Sequence, residues 1–318
     1  MRFAVENWLG QARRALGMRL EAGRGLPWIR REPDVTRHIA LPRALVVGVG
    51  GALVGGSGRT PLALAITAAL AQRGVRVAYV GHGYGGRCTQ PLRVGAEHDA
   101  RAVGDEAVLA YRRLTPLPVW VGPRQATLHA AAGDADVLVV DGLLQTTPQP
   151  VALSVLALSA PRPWGSGLVL PRGDLRSTPA RLVAASDLVV LLSFTPCSSI
   201  RHAPDAVVAR TTLTVPAPGR RGLFLSIARP ERVLAELARQ EHPVVVTLRG
   251  HDHGAAAWEA DAWQLLRTHE LDDFLVTDKC DAALGRSALP RTILALDVTL
   301  PATLEAALDR VGAAAHML

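Results

Sequence analysis

The segment Leu53-Val54-Gly55-Gly56-Ser57-Gly58-Arg59-Thr60-Pro61 gathers glycines, one cation and one hydroxyl in a short stretch. Glycines let consecutive backbone N–H groups converge on an anion, and a following helix adds its partial positive N-terminus, so the segment suits a phosphate. Thr60 stands where the hydroxyl of a P-loop would ligate Mg²⁺. The pattern G-x-x-x-x-G-K-[ST] would place Gly at position 53 and Lys at 59, where this chain has Leu53 and Arg59. Arginine keeps the charge but presents it as a planar fork. Three further places carry acids or imidazoles. Asp105 and Glu106 read either as a helix cap with a first-turn acid or as acid–base groups. Asp141 ends an apolar run, a usual place for functional acids in open α/β sheets, and otherwise a turn residue. His251-Asp252-His253 matches no standard zinc spacing, which leaves loop histidines.

These groups need a frame. Residues 44–49 form a strong apolar strand ahead of the glycine-rich turn. A helix is predicted from about Thr60, with Pro61 in its first turn, Leu62, Ile66 and Leu70 on its buried stripe and Gly74 at its end. Further apolar runs fall at 75–80, 118–121, 137–141, 153–158 and 188–192, with helices at 105–113 and 125–132. Strand–helix alternation with strands apolar on both faces predicts a mostly parallel sheet covered by helices. After Pro216-Ala217-Pro218-Gly219 a second set follows: strands at 222–226, 243–248, 274–277 and 292–298, helices at 230–239, 256–268 and 302–311. The fold class is therefore α/β: a P-loop-type, mostly parallel sheet flanked by helices, with a second, smaller α/β domain. The expected divisions are a basic amphipathic segment over 1–40, a nucleotide-binding domain over 41–215 and a domain completing the cleft over 216–318.

The composition of the 318 residues fits this: 49% hydrophobic and 20% charged residues supply a real core and exclude a disordered chain. No apolar run of about 18 residues predicts a membrane-spanning helix. The three dispersed cysteines, Cys88, Cys197 and Cys280, fit neither a disulfide scaffold nor a zinc knuckle, and a reducing compartment is the simpler reading. No signal peptide is expected from the N-terminus. Net charge is +7, and Lys279 is the only lysine beside 34 arginines. Nine arginines and four acids fall in residues 1–50. Val5, Trp8, Leu9, Ala12, Leu16 and Leu20 share one helical face there, with Arg13, Arg14 and Arg19 off it. Such a helix lies on an anionic membrane surface or packs on the domain with a solvated basic face. With 4% aromatics and no recognised module, a nucleic-acid partner is not expected.

A set of short patches, in one order, resembles the lipid A 4'-kinases (tetraacyldisaccharide 4'-kinases). Val49-Gly50 with Val54–Pro61 is similar to V-G-N-x-T-V-G-G-T-G-K-T-P, and Gly81-His82-Gly83-Tyr84-Gly85-Gly86-Arg87 to S-R-G-Y-G-x-R. Val103-Gly104-Asp105-Glu106-Ala107 resembles V-G-D-E-P, Val121–Arg124 resembles V-G-x-x-R, and Val139-Val140-Asp141-Gly142-Leu143-Leu144-Gln145 resembles L-D-D-G-L-Q-H. Leu170–Arg176 is similar to L-P-A-G-P-L-R-E, Ala228–Arg232 to G-R-P-E-R, Asp252-His253 to D-H-H/Y, and Thr277-Asp278-Lys279 to T-E-K-D. The chain departs from the pattern at Arg59 for Lys, His82 for Arg, Gly142 for the second Asp, Thr146 for His and Cys280 for the last Asp.

The resemblance implies transfer of the γ-phosphate of ATP, with Mg²⁺, to the 4'-hydroxyl of a tetraacylated glucosamine disaccharide 1-phosphate. It implies nucleotide binding by Leu53, Val54, Gly55, Gly56, Ser57, Gly58, Arg59 and Thr60, and Mg²⁺ at Thr60, Glu106 and Asp141. Asp105 would be the base, paired with His253, while Tyr84 and Arg176 would place the substrate. The implied partners are the lipid A disaccharide precursor and an anionic inner-membrane surface, the implied location is peripheral on the cytoplasmic face of that membrane, and no oligomeric state is implied. The departures keep two alternatives open: a divergent non-catalytic relative that binds nucleotide or lipid, and a P-loop phosphotransferase with a soluble substrate.

Overall fold

Valine-rich runs become central strands because both of their faces are buried. The computed structural model describes residues 35–197, 200–253 and 255–318. The expected basic helix over residues 3–20 lies outside them. The strands are β1 (Thr36–His38), β2 (Leu45–Gly51), β3 (Val77–Val80), β4 (Leu92–Arg93), β5 (Val119–Val121), β6 (Val137–Asp141), β7 (Gln145–Thr147), β8 (Leu153–Ser159), β9 (Leu188–Ser193), β10 (Val207–Thr214), β11 (Arg221–Leu225), β12 (Val246–Arg249), β13 (Asp273–Thr277) and β14 (Arg291–Thr299). The helices are α1 (Arg59–Gln72), α2 (Ala100–Val103), α3 (Asp105–Leu114), α4 (Arg124–Ala131), α5 (Pro179–Ala184), α6 (Pro230–Arg239), α7 (Glu259–Thr268), α8 (Asp278–Leu284) and α9 (Ala302–Ala315).

Val47 and Val49 of β2, with Val137 and Val139 of β6, pack under Leu62, Ile66 and Leu70 of α1. Val46, Leu138 and Val140 point the other way, onto Leu128 and Ala131 of α4. This two-sided burial makes a parallel arrangement with helices on both faces. A twelve-stranded sheet results, in the order β12-β11-β13-β14-β10-β9-β8-β2-β6-β3-β5-β4. Neighbouring strands run parallel except at β10–β14 and β4–β5. β1 and β7 form a separate parallel pair. The strand that feeds the glycine-rich turn, β2, lies between β6 and β8.

Two lobes share this sheet. The first holds the strands from β10 to β4 in spatial order. The second, from residue 216 onward, surrounds β11, β13 and β14 with its own core, where Phe224 and Phe274 meet edge to face at 6.4 Å. β10 was not among the expected strands, yet it joins the lobes: it runs parallel to β9 and pairs antiparallel with β14 from Arg210↔Thr299 to Thr214↔Ala295. The last helix, α9, returns to the first lobe. Leu304, Leu308 and Val311 enter the core under α1, and Arg73, the C-cap of α1, bonds Glu305 and Asp309 at 2.5 and 2.7 Å. The expected helix over 256–268 begins as a 3₁₀ turn at Ala255–Trp258 before α7, and the expected strand over 243–248 begins only at Val246.

Two helices bring the lobes' chemistry together. α3 of the first lobe and α8 of the second are tied by Arg112 Nη1 to Asp281 Oδ2 at 2.6 Å. Arg113 also donates to Leu296 O at 3.1 Å and Asp297 Oδ1 at 2.5 Å in β14. Asp105 and Glu106 lie in the first turn of α3, and Asp278 and Lys279 open α8, where Thr277 caps the helix by accepting from Cys280 N.

Candidate active site

The turn between β2 and α1 has Gly55, Gly56 and Gly58 at φ +95°, +68° and +76°, values that favour glycine. Gly58 is the N-cap of α1, so the loop's amides stand at a helix N-terminus. Its flank is braced from the segment before α5. Val54 N donates to Asp174 O at 2.9 Å, and Arg176 Nε donates to Leu53 O at 3.1 Å. Arg176 is thus a brace of the loop, and burial followed by the charges of Arg59 and Arg37 lowers its pKa to about 10. The second lobe reaches the same loop. A Cβ on Gly55 would meet Ala228 Cβ at 3.1 Å, and one on Gly56 would meet Arg229 Cγ at 2.5 Å. Arg229 itself donates to Arg162 O at 3.2 Å and Asp174 Oδ2 at 3.3 Å.

Arg59 does not lie across the loop. Its Nε bonds Asp141 Oδ1, and its Nη2 stands 3.8 Å from Glu106 Oε2. Asp141, 1% exposed, also accepts from Thr60 Oγ1 at 2.7 Å and Tyr79 OH at 2.8 Å. Burial alone would raise the Asp141 pKa, but the Arg59 charge and the Thr60 and Tyr79 hydrogen bonds bring it below the ordinary value. The same ion pair raises the Arg59 pKa against its own burial, and burial beside Asp141 raises that of Tyr79. At the far end of β6, Arg124 Nη2 donates to Asp141 O at 2.9 Å and touches the His82 ring. His82 is exposed as a residue, yet partial burial of its ring followed by the Arg124 and Arg59 charges pushes its pKa down to about 3.

From the second lobe, His253 Nδ1 lies 2.8 and 2.9 Å from the two carboxylate oxygens of Asp105. His253 holds φ +60°, a left-handed conformation uncommon for a residue with a side chain. Asp105 is the first residue of α3 rather than its cap. Gly104 is the N-cap, at φ +90°, and the Asp105 carboxylate, 5% exposed, accepts from Glu106 N at 2.8 Å. Burial opposes ionisation of both partners and is outweighed in both. The His253 hydrogen bond and the Lys279 charge take Asp105 below the usual carboxylate range. The Asp105 hydrogen bond, aided by Asp252, takes His253 above the usual imidazole value. Lys279 Nζ closes the cluster at 2.9 Å from Asp252 Oδ1 and 3.4 Å from both Glu106 Oε1 and His253 Nε2. Burial would lower the Lys279 pKa, but the Glu106 and Asp252 charges raise it. Tyr84, 65% exposed, tilts against His253 with ring centroids 4.9 Å apart.

The fold thus gathers Asp105, Glu106, His253, Thr60, Asp141 and Tyr84 at one end of the sheet, with Arg176 behind the loop. Sequence reading did not name Tyr79, Arg124, Asp252 or Lys279 as site groups. The solitary lysine at 279 was the one signal in composition, and Arg124, Asp252 and Lys279 fall within patches that resemble the family; Tyr79 carries no signal, since a strand tyrosine looks ordinary.

Comparison with known proteins decides the family. A family model described as tetraacyldisaccharide-1-P 4'-kinase (LpxK) matches residues 29–313. The chain belongs to this family. Relatives named tetraacyldisaccharide 4'-kinase include one from Anaeromyxobacter dehalogenans, 37% identical over 71% of this chain and 60% of its own length. Another, from Methylobacterium radiotolerans, is 34% identical over 79% of this chain and 78% of its own. The solved LpxK from Aquifex aeolicus, described in complex with ATP, has the same fold: TM-score 0.65 and 18% identity, over 86% of this chain and 90% of that one.

Proposed function

We propose that this LpxK-family chain transfers the γ-phosphate of ATP to the 4'-hydroxyl of a tetraacylated glucosamine disaccharide 1-phosphate. The observation that carries this reading is the Asp105–His253 pair, 2.8 Å apart across the two lobes and facing the same cleft as the glycine-rich loop and Asp141. In this reading the amides and helix N-terminus at Gly55–Thr60 hold the nucleotide's terminal phosphates, flanked by Leu53 and Val54 and neutralised by Arg59. Asp105 accepts the proton of the sugar hydroxyl as the hydroxyl oxygen bonds the γ-phosphorus and the bond from that phosphorus to the bridging oxygen of ADP breaks. His253 orients the carboxylate. Tyr84 is placed to touch the sugar, and Arg176 supports the loop that holds the phosphates.

The donor set fits Mg²⁺. Thr60 Oγ1 and the carboxylates of Asp141 and Glu106 are hard oxygen donors, and the span between the two acids already accommodates a cation, the Arg59 guanidinium. Mg²⁺ held there would neutralise charge on the transferring phosphoryl group. Arg59 would then have to release at least one of its acids.

No helix among the described residues is long and apolar enough to cross a membrane. The reading places the chain peripherally on the cytoplasmic face of the inner membrane, with residues 1–40 on the anionic surface, 41–215 as the nucleotide lobe and 216–318 completing the cleft. The test is to incubate the purified chain with Mg·ATP and detergent-dispersed tetraacyldisaccharide 1-phosphate and weigh the lipid by mass spectrometry. Addition of one phosphate is expected, with Asp105→Asn lowering kcat by roughly 10²–10⁴ at little change in ATP affinity. Tight Mg·ATP binding with no phosphorylated lipid would overturn the reading.

A further inference from the structure

His82 and Gly142 meet at the end of β6. A Cβ on Gly142 would stand 1.9 Å from His82 Nε2 and 2.5 Å from His82 Cδ2, and Gly142 has φ +82°. No side chain fits at 142 while the imidazole keeps its place. These are also two of the positions where the chain departs from the pattern it resembles, which has Arg at the first and Asp at the second. One positive and one negative charge are absent together, and the two positions touch.

The third member is Arg124. Its Nη2 lies 2.8 and 2.7 Å from the His82 ring nitrogens and donates to Asp141 O at 2.9 Å. A guanidinium offers only donors and a neutral imidazole has one acceptor nitrogen, so only one of the two short distances is a hydrogen bond, with the unprotonated ring nitrogen accepting. The carbonyl that Arg124 grips belongs to the peptide joining Asp141 to Gly142. Its orientation is coupled to that of the Asp141 side chain, whose oxygens receive Arg59, Thr60 and Tyr79.

We propose that His82 and Gly142 form one positioning unit: the imidazole fills the volume that a side chain at 142 would need and holds Arg124 on the Asp141 carbonyl, so that Asp141 serves as the sole carboxylate at the end of this strand. The unit sets Asp141 at the nucleotide end of the site, and the inference rests on the placing of nucleotide at that end. His82 acts through Arg124, not on the reacting atoms.

Four proteins test it: wild type, His82→Arg, Gly142→Asp and the double variant, compared by melting temperature and by titration with trinitrophenyl-ATP and Mg²⁺. Each single change is expected to weaken nucleotide binding about tenfold, and the double variant to recover most of that loss, because the residues are in contact and their effects do not add. A double variant whose losses equal the product of the two single losses would overturn the proposal. Positioning is separated from packing by His82→Leu and His82→Gln. Leucine fills space without accepting, so it is expected to raise the KM for ATP while leaving the melting temperature close to wild type; glutamine, which can accept, is expected to restore KM. Equal KM for leucine, glutamine and wild type would also overturn it. Should wild type bind no nucleotide, the kinase reading falls, and non-additivity of the four melting temperatures still decides whether positions 82 and 142 act as a unit.

Discussion

At the residue scale, the Asp105–His253 pair makes a prediction about pH. Asp105 has its pKa lowered by the fold, so its contribution to stability is present above the ordinary carboxylate value and lost as pH falls through the lowered one. His253 has its pKa raised, so its contribution is full below the ordinary imidazole value and lost as pH rises through the raised one. Both contributions are full only between about pH 4 and about pH 6.5, the ordinary values of the two groups. The melting-temperature difference between wild type and His253→Ala is therefore expected to be largest in that window and to shrink on both sides; a difference independent of pH would contradict the pairing. Lys279 gives a second prediction. Replacing it by Met leaves Glu106 and Asp252 without the ammonium between them, and kcat/KM is expected to fall at least about tenfold in steady-state assays; Lys279→Arg is expected to restore little, since a planar fork does not replace a compact ammonium. These contacts also show what a linear reading can see. The acids at 105, 106 and 141 stood out by type and by place at element ends. The pairing of Asp105 with His253 spans 148 positions, so it came from resemblance and not from spacing. The contact of His82 with Gly142 leaves no trace in the order of residues, because it depends on a side chain meeting the absence of one.

At the scale of elements, the glycine-rich turn is shaped by backbone that only glycine adopts cheaply and by a second lobe that presses on it. Gly56→Ala puts a Cβ in a left-handed conformation, at a cost of about 1–2 kcal/mol, and against the Arg229 stem. A drop of a few degrees in melting temperature and about tenfold weaker Mg·ATP binding are expected, the latter equivalent to about 1.4 kcal/mol. Calorimetry and nucleotide titration check the two separately; unchanged ATP affinity would remove the loop from the phosphate site. The elements around this turn differ in how plainly the sequence marks them. β2, β6 and β8 are runs of Val, Leu and Ala buried on both faces, a pattern that needs no partner to be recognised. β10 was hidden because its apolar start, Val207, Val208 and Ala209, is short and only every second residue after it is buried: Thr211 and Leu213 face in while Arg210, Thr212 and Thr214 face out, and threonine and arginine diluted the signal. β1, β4 and β7 are two or three residues long and partly polar, and their pairing comes from the rest of the fold. α8 was missed for a related reason. Its seven residues start with two charges, Asp278 beside Arg113 and Lys279 among the site acids, and are too few to show a clear buried stripe.

At the scale of the whole molecule, the lobes are joined by a β-ladder and by a returning helix, not by a free linker. The antiparallel β10–β14 pairing and the packing of α9 under α1 oppose a wide swing of the second lobe, so admission of nucleotide beneath Arg229 calls for movement of the loop after β11 more than of the lobe. In the proposed reading the substrate's acyl chains stay in a bilayer while its sugar reaches Asp105. Exposed apolar groups stand on the site's own loops, with Val54 40% and Tyr84 65% exposed. The chain as a whole carries +7, with much of the excess in residues 1–50. Attraction of that charge to anionic headgroups decays within about 8 Å at physiological salt, so it acts only on a segment already near the surface. The full chain is expected to sediment with vesicles containing phosphatidylglycerol, to do so less as salt is raised, and to ignore vesicles of phosphatidylcholine alone. Reversing Arg13, Arg14 and Arg19 to Glu is expected to abolish sedimentation without changing ATP affinity, because those arginines lie far from the nucleotide loop in sequence and belong to the basic face expected over residues 3–20. Sedimentation that survives both high salt and charge reversal would mean that apolar insertion alone holds the chain to lipid, and equal sedimentation with phosphatidylcholine vesicles would remove charge from the account altogether.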